Sequence, residues 1–236
     1  MASNPGMDRR AIVFGATGAI GSAICEQLHA EGYEVTGIAR QSTERPYPIL
    51  SWNPFLDPPP FKMGCKPFDA LIWAQGMNLN DAIETFELGQ HEEMYRANVT
   101  YILLTLNHLI KLDCLSKPSR LCIISSIWQN IARQNKLSYM VTKSALQGVV
   151  QSLMLDLGKQ GHLINAVLPG ALDTKMTRSN LNQDQINRLE LMTPLQSLPE
   201  LSDVSHLVSF LCSDKNSGIT GQFIHADRGF TYARII

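Results

Sequence analysis

Tyr139 and Lys143, in the stretch Ser138-Tyr-Met-Val-Thr-Lys-Ser-Ala-Leu146, are the side chains of this protein best suited to acid–base chemistry. Four positions apart on a helix, a phenol and an ammonium share one face and can converge on one substrate atom. A free phenol titrates near ~10 and is a poor proton donor or acceptor at neutral pH. A lysine held beside it favours the phenolate and draws that pKa toward the working range. Ser126 lies upstream, at the end of the apolar run Leu121–Ser125, which reads as a strand. A glycine-rich loop, Gly15-Ala-Thr-Gly-Ala-Ile-Gly21, stands near the start of the chain.

The loop sits between a strand and an amphipathic helix, the context a dinucleotide site requires. Gly15, Gly18 and Gly21 permit a tight turn, so that backbone N–H groups of Thr17, Ala19 and Ile20 can approach a pyrophosphate. The helix N-terminus adds partial positive charge toward that anion. The second strand ends Ile38-Ala39-Arg40-Gln41-Ser42, with no carboxylate before Glu44 to hold the ribose diol of NAD. Arg40 and Ser42 are suited instead to the 2′-phosphate of NADP, so NADP(H) is favoured over NAD(H).

These residues need a frame, and the apolar pattern supplies one. Strand-like runs at Arg10–Phe14, Glu34–Ala39, Pro48–Trp52, Phe68–Ala74, Arg120–Ser125, His162–Leu168 and Gln222–His225 alternate with helix-like stretches. The helices fall at Ala19–Glu31, Leu88–Lys111, Ser138–Gln160 and Ser202–Cys212. This alternation implies a doubly wound α/β fold of Rossmann type, a mostly parallel sheet with helices on both faces. Prolines 54, 58, 59, 60 and 67 exclude a regular helix between the third and fourth strands. The 236 residues read as one domain, with residues 1–8 as a frayed leader. A net charge of −1 without basic runs argues against nucleic acid or anionic membrane as a partner. No apolar run reaches membrane-spanning length, and the N-terminus lacks a signal-peptide core. The five cysteines show no CxxC pair, which suits reduced thiols in a cytoplasmic protein without a metal site.

Together the motifs resemble the short-chain dehydrogenase/reductase family, in its compact single-domain branch, from Arg10 to about Phe230. The resemblance implies that Tyr139, Lys143, Ser126 and Asn98 form the catalytic tetrad, with Tyr139 exchanging a proton with a carbonyl or alcohol oxygen. Ser126 would hydrogen-bond that oxygen, Lys143 would hold the nicotinamide ribose, and Asn98 would hold a water linked to Lys143. It further implies that Pro169-Gly-Ala-Leu-Asp-Thr174 clasps the nicotinamide carboxamide, with Gly170, the Leu172 backbone and Thr174 in contact. Asn53 stands where the family has an acid for the adenine amino group. Ala74, Gln75 and Gly76 stand in place of the usual Asn-Ala-Gly beside the cofactor. Asp227-Arg-Gly229 replaces the usual Asp-Gly-Gly.

The spacing of Gly15, Gly18 and Gly21 is that of the family's extended branch, which works on nucleotide sugars. An epimerase or dehydratase with retained NAD is therefore one rival reading, and a non-catalytic nicotinamide-binding regulator another. Gln75–Glu84, Ile127–Lys136 and Lys175–Met192 are expected to shape the substrate site, the last as a lid. Within them Trp128, Gln129, Asn130, Arg133, Lys175, Met176, Arg178 and Asn180 are the polar or bulky candidates, the cations reading as solvated. Apolar residues on several faces of the helix 138–160 suggest a homodimer or homotetramer.

Overall fold

The computed structural model describes residues 9–174, 177–178 and 181–234. Residues 1–8 and the substrate-lid candidates Lys175, Met176 and Asn180 lie outside that set. Seven parallel strands form one sheet in the order β3-β2-β1-β4-β5-β6-β7. They are β1 Arg10–Phe14, β2 Glu34–Ala39, β3 Ile49–Ser51, β4 Phe68–Trp73, β5 Leu115–Ile124, β6 Leu163–Pro169 and β7 Phe223–Ala226. Burial on both faces explains their near-continuous apolar runs. Ile12 and Val13, adjacent on β1, are both fully buried but belong to the two separate cores above and below the sheet.

The helices are α1 Ala19–Ala30, α2 Leu88–Tyr95, α3 Tyr101–Lys111, α4 Leu137–Gly158, α5 Gln183–Leu191 and α6 Leu201–Cys212. α1 and α6 cover one face, while α3 and α4 cover the other. The strand order reverses between β1 and β4, so a crevice opens at their carboxyl ends.

Three departures from the sequence expectation bear on the site. The helix expected over Leu88–Lys111 is interrupted by a π turn at Arg96–Thr100, which carries Asn98. β5 starts at Leu115 rather than Arg120, its first turnings disguised by Ser116, Lys117 and Pro118. Part of the expected lid is the helix α5, fixed by a capping box in which Asn182 and Gln185 bond each other's backbone N–H. Between β3 and β4 the prolines leave turns only. Trp52 and Phe61 pack there edge to face at 6.2 Å, closing the flank of the sheet without a helix.

Candidate active site

Among the described residues, the expected cofactor and tetrad elements gather toward the carboxyl end of the sheet. β1 ends into Gly15, whose φ of 79° is left-handed and whose missing Cβ would meet Gln75 N at 2.6 Å. Only glycine tolerates both conditions. Gly15 N and Ala16 N donate to Ile38 O at 2.9 and 3.1 Å, anchoring the loop to β2. Gly21 is packed against the Gly15 carbonyl, again leaving no room for a side chain. Gly18 caps α1 with its front open: its would-be Cβ meets Gly15 O alone, at 3.4 Å. α1 has no side-chain cap and no acidic residue in its first turn, so its free N–H groups and dipole remain available to an anion. Thr17, Gly18 and Ala19 are exposed there, with Ile20 half-buried. This cradle fits a dinucleotide pyrophosphate.

The rest of the cofactor candidates follow along the same edge. Arg40 and Ser42 are exposed beyond β2, and among the described residues the Arg40 guanidinium has no ion-pair partner. Asn53 is exposed, and its Oδ1 accepts from Phe55 N at 3.1 Å in an Asx turn that uses one of its two lone pairs. Asp57 Oδ2 lies 3.3 Å from Asn53 N, placing an unforeseen carboxylate at this corner. Ala74 N donates to Phe14 O, holding the turn after β4 against β1. Gln75 Nε2 donates to Ala97 O in the π turn at 3.4 Å, whereas its Oε1 is buried without a partner among the described residues. Its side chain thus lies against the break between α2 and α3. Gly76 faces Asn98 Oδ1 and Lys143 Nζ, 3.0 and 3.9 Å from where a Cβ would stand. β6 ends at Pro169, and Gly170 lies so close to Asp227 that a Cβ would come within 3.0 Å of its Cβ. Leu172 is buried, and the Thr174 hydroxyl bonds Thr177 Oγ1 at 3.1 Å.

The four tetrad candidates converge from three segments, the end of β5, α4 and the π turn. Ser126 follows β5, and its hydroxyl hydrogen-bonds toward the Tyr139 phenol and accepts from Trp128 N. Lys143 is 5% exposed, and its Nζ donates to Ile124 O at 3.0 Å and lies 5.7 Å from the Tyr139 ring centroid. Burial lowers Lys143 to about 8. Asn98 braces the assembly: Oδ1 accepts from Met77 N at 2.7 Å, and Nδ2 donates to Met77 O at 3.0 Å and Thr142 Oγ1 at 2.9 Å. The π turn swings it inward, and no apolar period could reveal that.

Tyr139 departs from the simple expectation of a lowered phenol. Burial, the largest influence, holds it above the ordinary tyrosine value, offset in part by the Ser126 hydrogen bond and the Arg133 charge. Its ground state here is the protonated phenol, a donor to a carbonyl oxygen.

Around the site, Trp128 meets Phe230 edge-on at 6.3 Å, and Arg133 lies 5.0 Å over Trp128. Gln129 is buried and accepts from Ser125 Oγ at 2.7 Å, and Asn130 lies 3.4 Å from His225. Arg178, expected to be solvated, grips Asp173 with two hydrogen bonds of 2.6 and 2.7 Å. Arg228 occupies its glycine-like place with φ 53° and binds Asp203 at 2.9 Å and Ser197 at 2.7 Å, so this departure ties the chain end to α6. Trp73, the last residue of β4, is fully buried, stacks on Phe14 at 5.5 Å and donates to Thr105 Oγ1 at 2.9 Å. Sequence reasoning did not single out Lys136, Asp81 or His91, which gather at the start of α4; their joining depends on contacts far apart in the chain.

Residues 63–231 match the model described as Enoyl-(Acyl carrier protein) reductase, and residues 11–60 match that of the NAD dependent epimerase/dehydratase family. The chain is 27% identical over 161 residues to the 3-oxoacyl-[acyl-carrier-protein] reductase FabG of Buchnera aphidicola, covering 68% of this chain and 66% of that protein, just under two thirds. It is 24% identical over 241 residues to the uncharacterized oxidoreductase YmfI of Bacillus subtilis, covering 95% and 99%. The aldohexose dehydrogenase of Thermoplasma acidophilum shares the fold, with a TM-score of 0.86 at 23% identity over 98% and 97% of the two chains. The fold, the site and these likenesses agree: the chain belongs to the short-chain dehydrogenase/reductase family of oxidoreductases.

Proposed function

We propose that the protein transfers hydride between NADP(H) and a carbonyl or secondary alcohol, with Tyr139 as the acid–base group. The observation that carries this is the convergence of Ser126, Tyr139 and buried Lys143 on one edge of the sheet, beside the open N-terminus of α1. A bound nicotinamide supplies the hydride. Tyr139 gives its phenol proton to the substrate oxygen, and Ser126 hydrogen-bonds that oxygen as charge develops. Lys143 holds the ribose and favours the transient phenolate; Asn98 keeps Met77 and Thr142 in register around it.

The missing acid after β2, and an Arg40 that forms no ion pair among the described residues, support NADP(H) over NAD(H). Fluorescence titration with NADPH and NADH tests this: tighter NADPH binding that Arg40→Ala abolishes supports it, and a preference for NADH overturns it. A shallow, mostly apolar depression lined by Ile127, Trp128, Leu189, Leu198 and Phe230, with Asp227 at its wall, begins one residue after Ser126 and favours a substrate with an apolar part. Ketones, aldehydes and β-ketoacyl thioesters are the first to screen.

The glycine spacing and the epimerase-type match of residues 11–60 favour a second reading, an epimerase or dehydratase with retained NAD. NAD released on denaturing the purified protein would support that reading. Exposed apolar side chains on α3 and α4 (Leu103, Ile110, Val141 and Leu155) support a homodimer or homotetramer, measurable by light scattering. Among the described residues no helix is long and apolar enough to cross a membrane, and all five cysteines are free thiols, in keeping with a cytoplasmic setting.

A further inference from the structure

The Tyr139 ring has a second ammonium beside it. Lys136 Nζ lies 5.7 Å from the ring centroid, the same separation as Lys143 Nζ, but Lys136 stands at the N-cap of α4, about two turns before Lys143. Lys136 is only 8% exposed. Its Nζ donates to two neutral acceptors, Asn78 Oδ1 at 2.7 Å and Leu79 O at 3.2 Å, and among the described residues it forms no ion pair. A neutral amide could clamp those acceptors without the cost of burying a charge. The clamp alone therefore does not explain an ammonium at this position.

The neighbouring carboxylate is engaged elsewhere. Asp81 accepts from Ser138 N at 3.0 and 3.2 Å and from Ser138 Oγ at 2.5 Å, capping the start of α4. Ser138 spends its one hydroxyl proton on Asp81, so His91 Nδ1, 2.8 Å away, carries the proton of that contact. Asp81 acts on Lys136 only across space, where it partly opposes the lowering caused by burial and by Arg133. The groups facing Tyr139 are then Lys143 from α4, Lys136 from its N-cap, Arg133 from the loop before it and Ser126 from the end of β5. Asp81 and His91 both engage Ser138.

We propose that Lys136 is a positioning residue of the site, acting through Tyr139 by stabilising its phenolate while fixing residues 78–79 beside it. This rests on the reading of Tyr139 as the acid–base group. The test uses the whole protein, with tyrosine isotopically labelled at Cζ, titrated by NMR without cofactor or substrate. Tyr139→Phe identifies the resonance. Lys136→Gln keeps a donor and removes the charge; it is expected to raise the Tyr139 pKa by about one unit. Lys136→Arg should restore the wild-type titration, and Asn78→Ala, which breaks the clamp but keeps the charge, should leave it unchanged. Lys136→Met replaces the glutamine variant if that does not fold, with the same expected rise. An unchanged Tyr139 titration without the charge, or an equal rise in Asn78→Ala, overturns the proposal. Failure of the hydride-transfer reading would show in turnover and leave this titration untouched.

Discussion

Replacing Lys143 with methionine should stabilise the fold while destroying the site. Lys143 is 5% exposed, and burial lowers it from 10.5 to about 8. In the unfolded chain it regains its ordinary value, so below pH 8 the folded state carries a charge that the unfolded state holds more favourably. At 1.36 kcal/mol per unit, this shift costs the native state about 3 kcal/mol at pH 7. The cost is relieved as pH rises through the folded value, falling to about 2 kcal/mol at pH 9. Methionine removes the charge but leaves Ile124 O without its donor, a loss of about 1–2 kcal/mol. Lys143→Met should therefore be more stable than wild type by about 1–2 kcal/mol at pH 7, with the advantage shrinking by about 1 kcal/mol at pH 9. Urea unfolding at both pH values, with slopes compared so that only midpoints are interpreted, measures this. A variant less stable than wild type by the same amount at both pH values would refute the reasoning.

Other outcomes follow from the same contacts. Lys143→Ala should weaken NADPH binding as well as turnover; unaltered affinity would confine the lysine to tuning Tyr139. Gly15→Ala must place a side chain at φ 79° against Gln75 N and should cost about 2–4 kcal/mol together with cofactor binding, read by thermal melting and titration. His162 accepts from Ser119 N at 3.0 Å, and burial, the largest cause, together with Lys117 and Arg120 lowers its pKa. The folded state therefore prefers neutral His162: its contribution is full above the ordinary histidine value and is lost as pH falls below it. His162→Gln should flatten the loss of stability between pH 7 and pH 5; an unchanged acid limb would contradict this.

Much of the fold was legible because the strands are buried on both faces and so read as unbroken apolar runs, from Ala11–Phe14 to Leu71–Trp73. Gly15, Gly18 and Gly21 announced the turn, since close backbone approach leaves few other residues for it. The π turn at Asn98 was hidden because hydrogen-bond register leaves no mark on the apolar period. α5 was read as part of a lid, although Asn182 and Gln185 carry the capping signal. The direction of the Tyr139 shift was missed because spacing reports the neighbouring lysine but not the depth of burial, which here has the larger effect. The Asp81–Ser138–His91 contacts and the Lys136 clamp join residues about fifty positions apart, which a local pattern cannot bring together.

The central claim is that Tyr139 gives the proton that accompanies hydride transfer. It is tested most directly by following loss of NADPH absorbance with a carbonyl panel in wild type and Tyr139→Phe, alongside NADPH affinity. The account predicts that wild type oxidises NADPH and that the variant is slower by about a hundredfold or more, with cofactor affinity preserved. A Tyr139→Phe variant that turns over at the wild-type rate would contradict it.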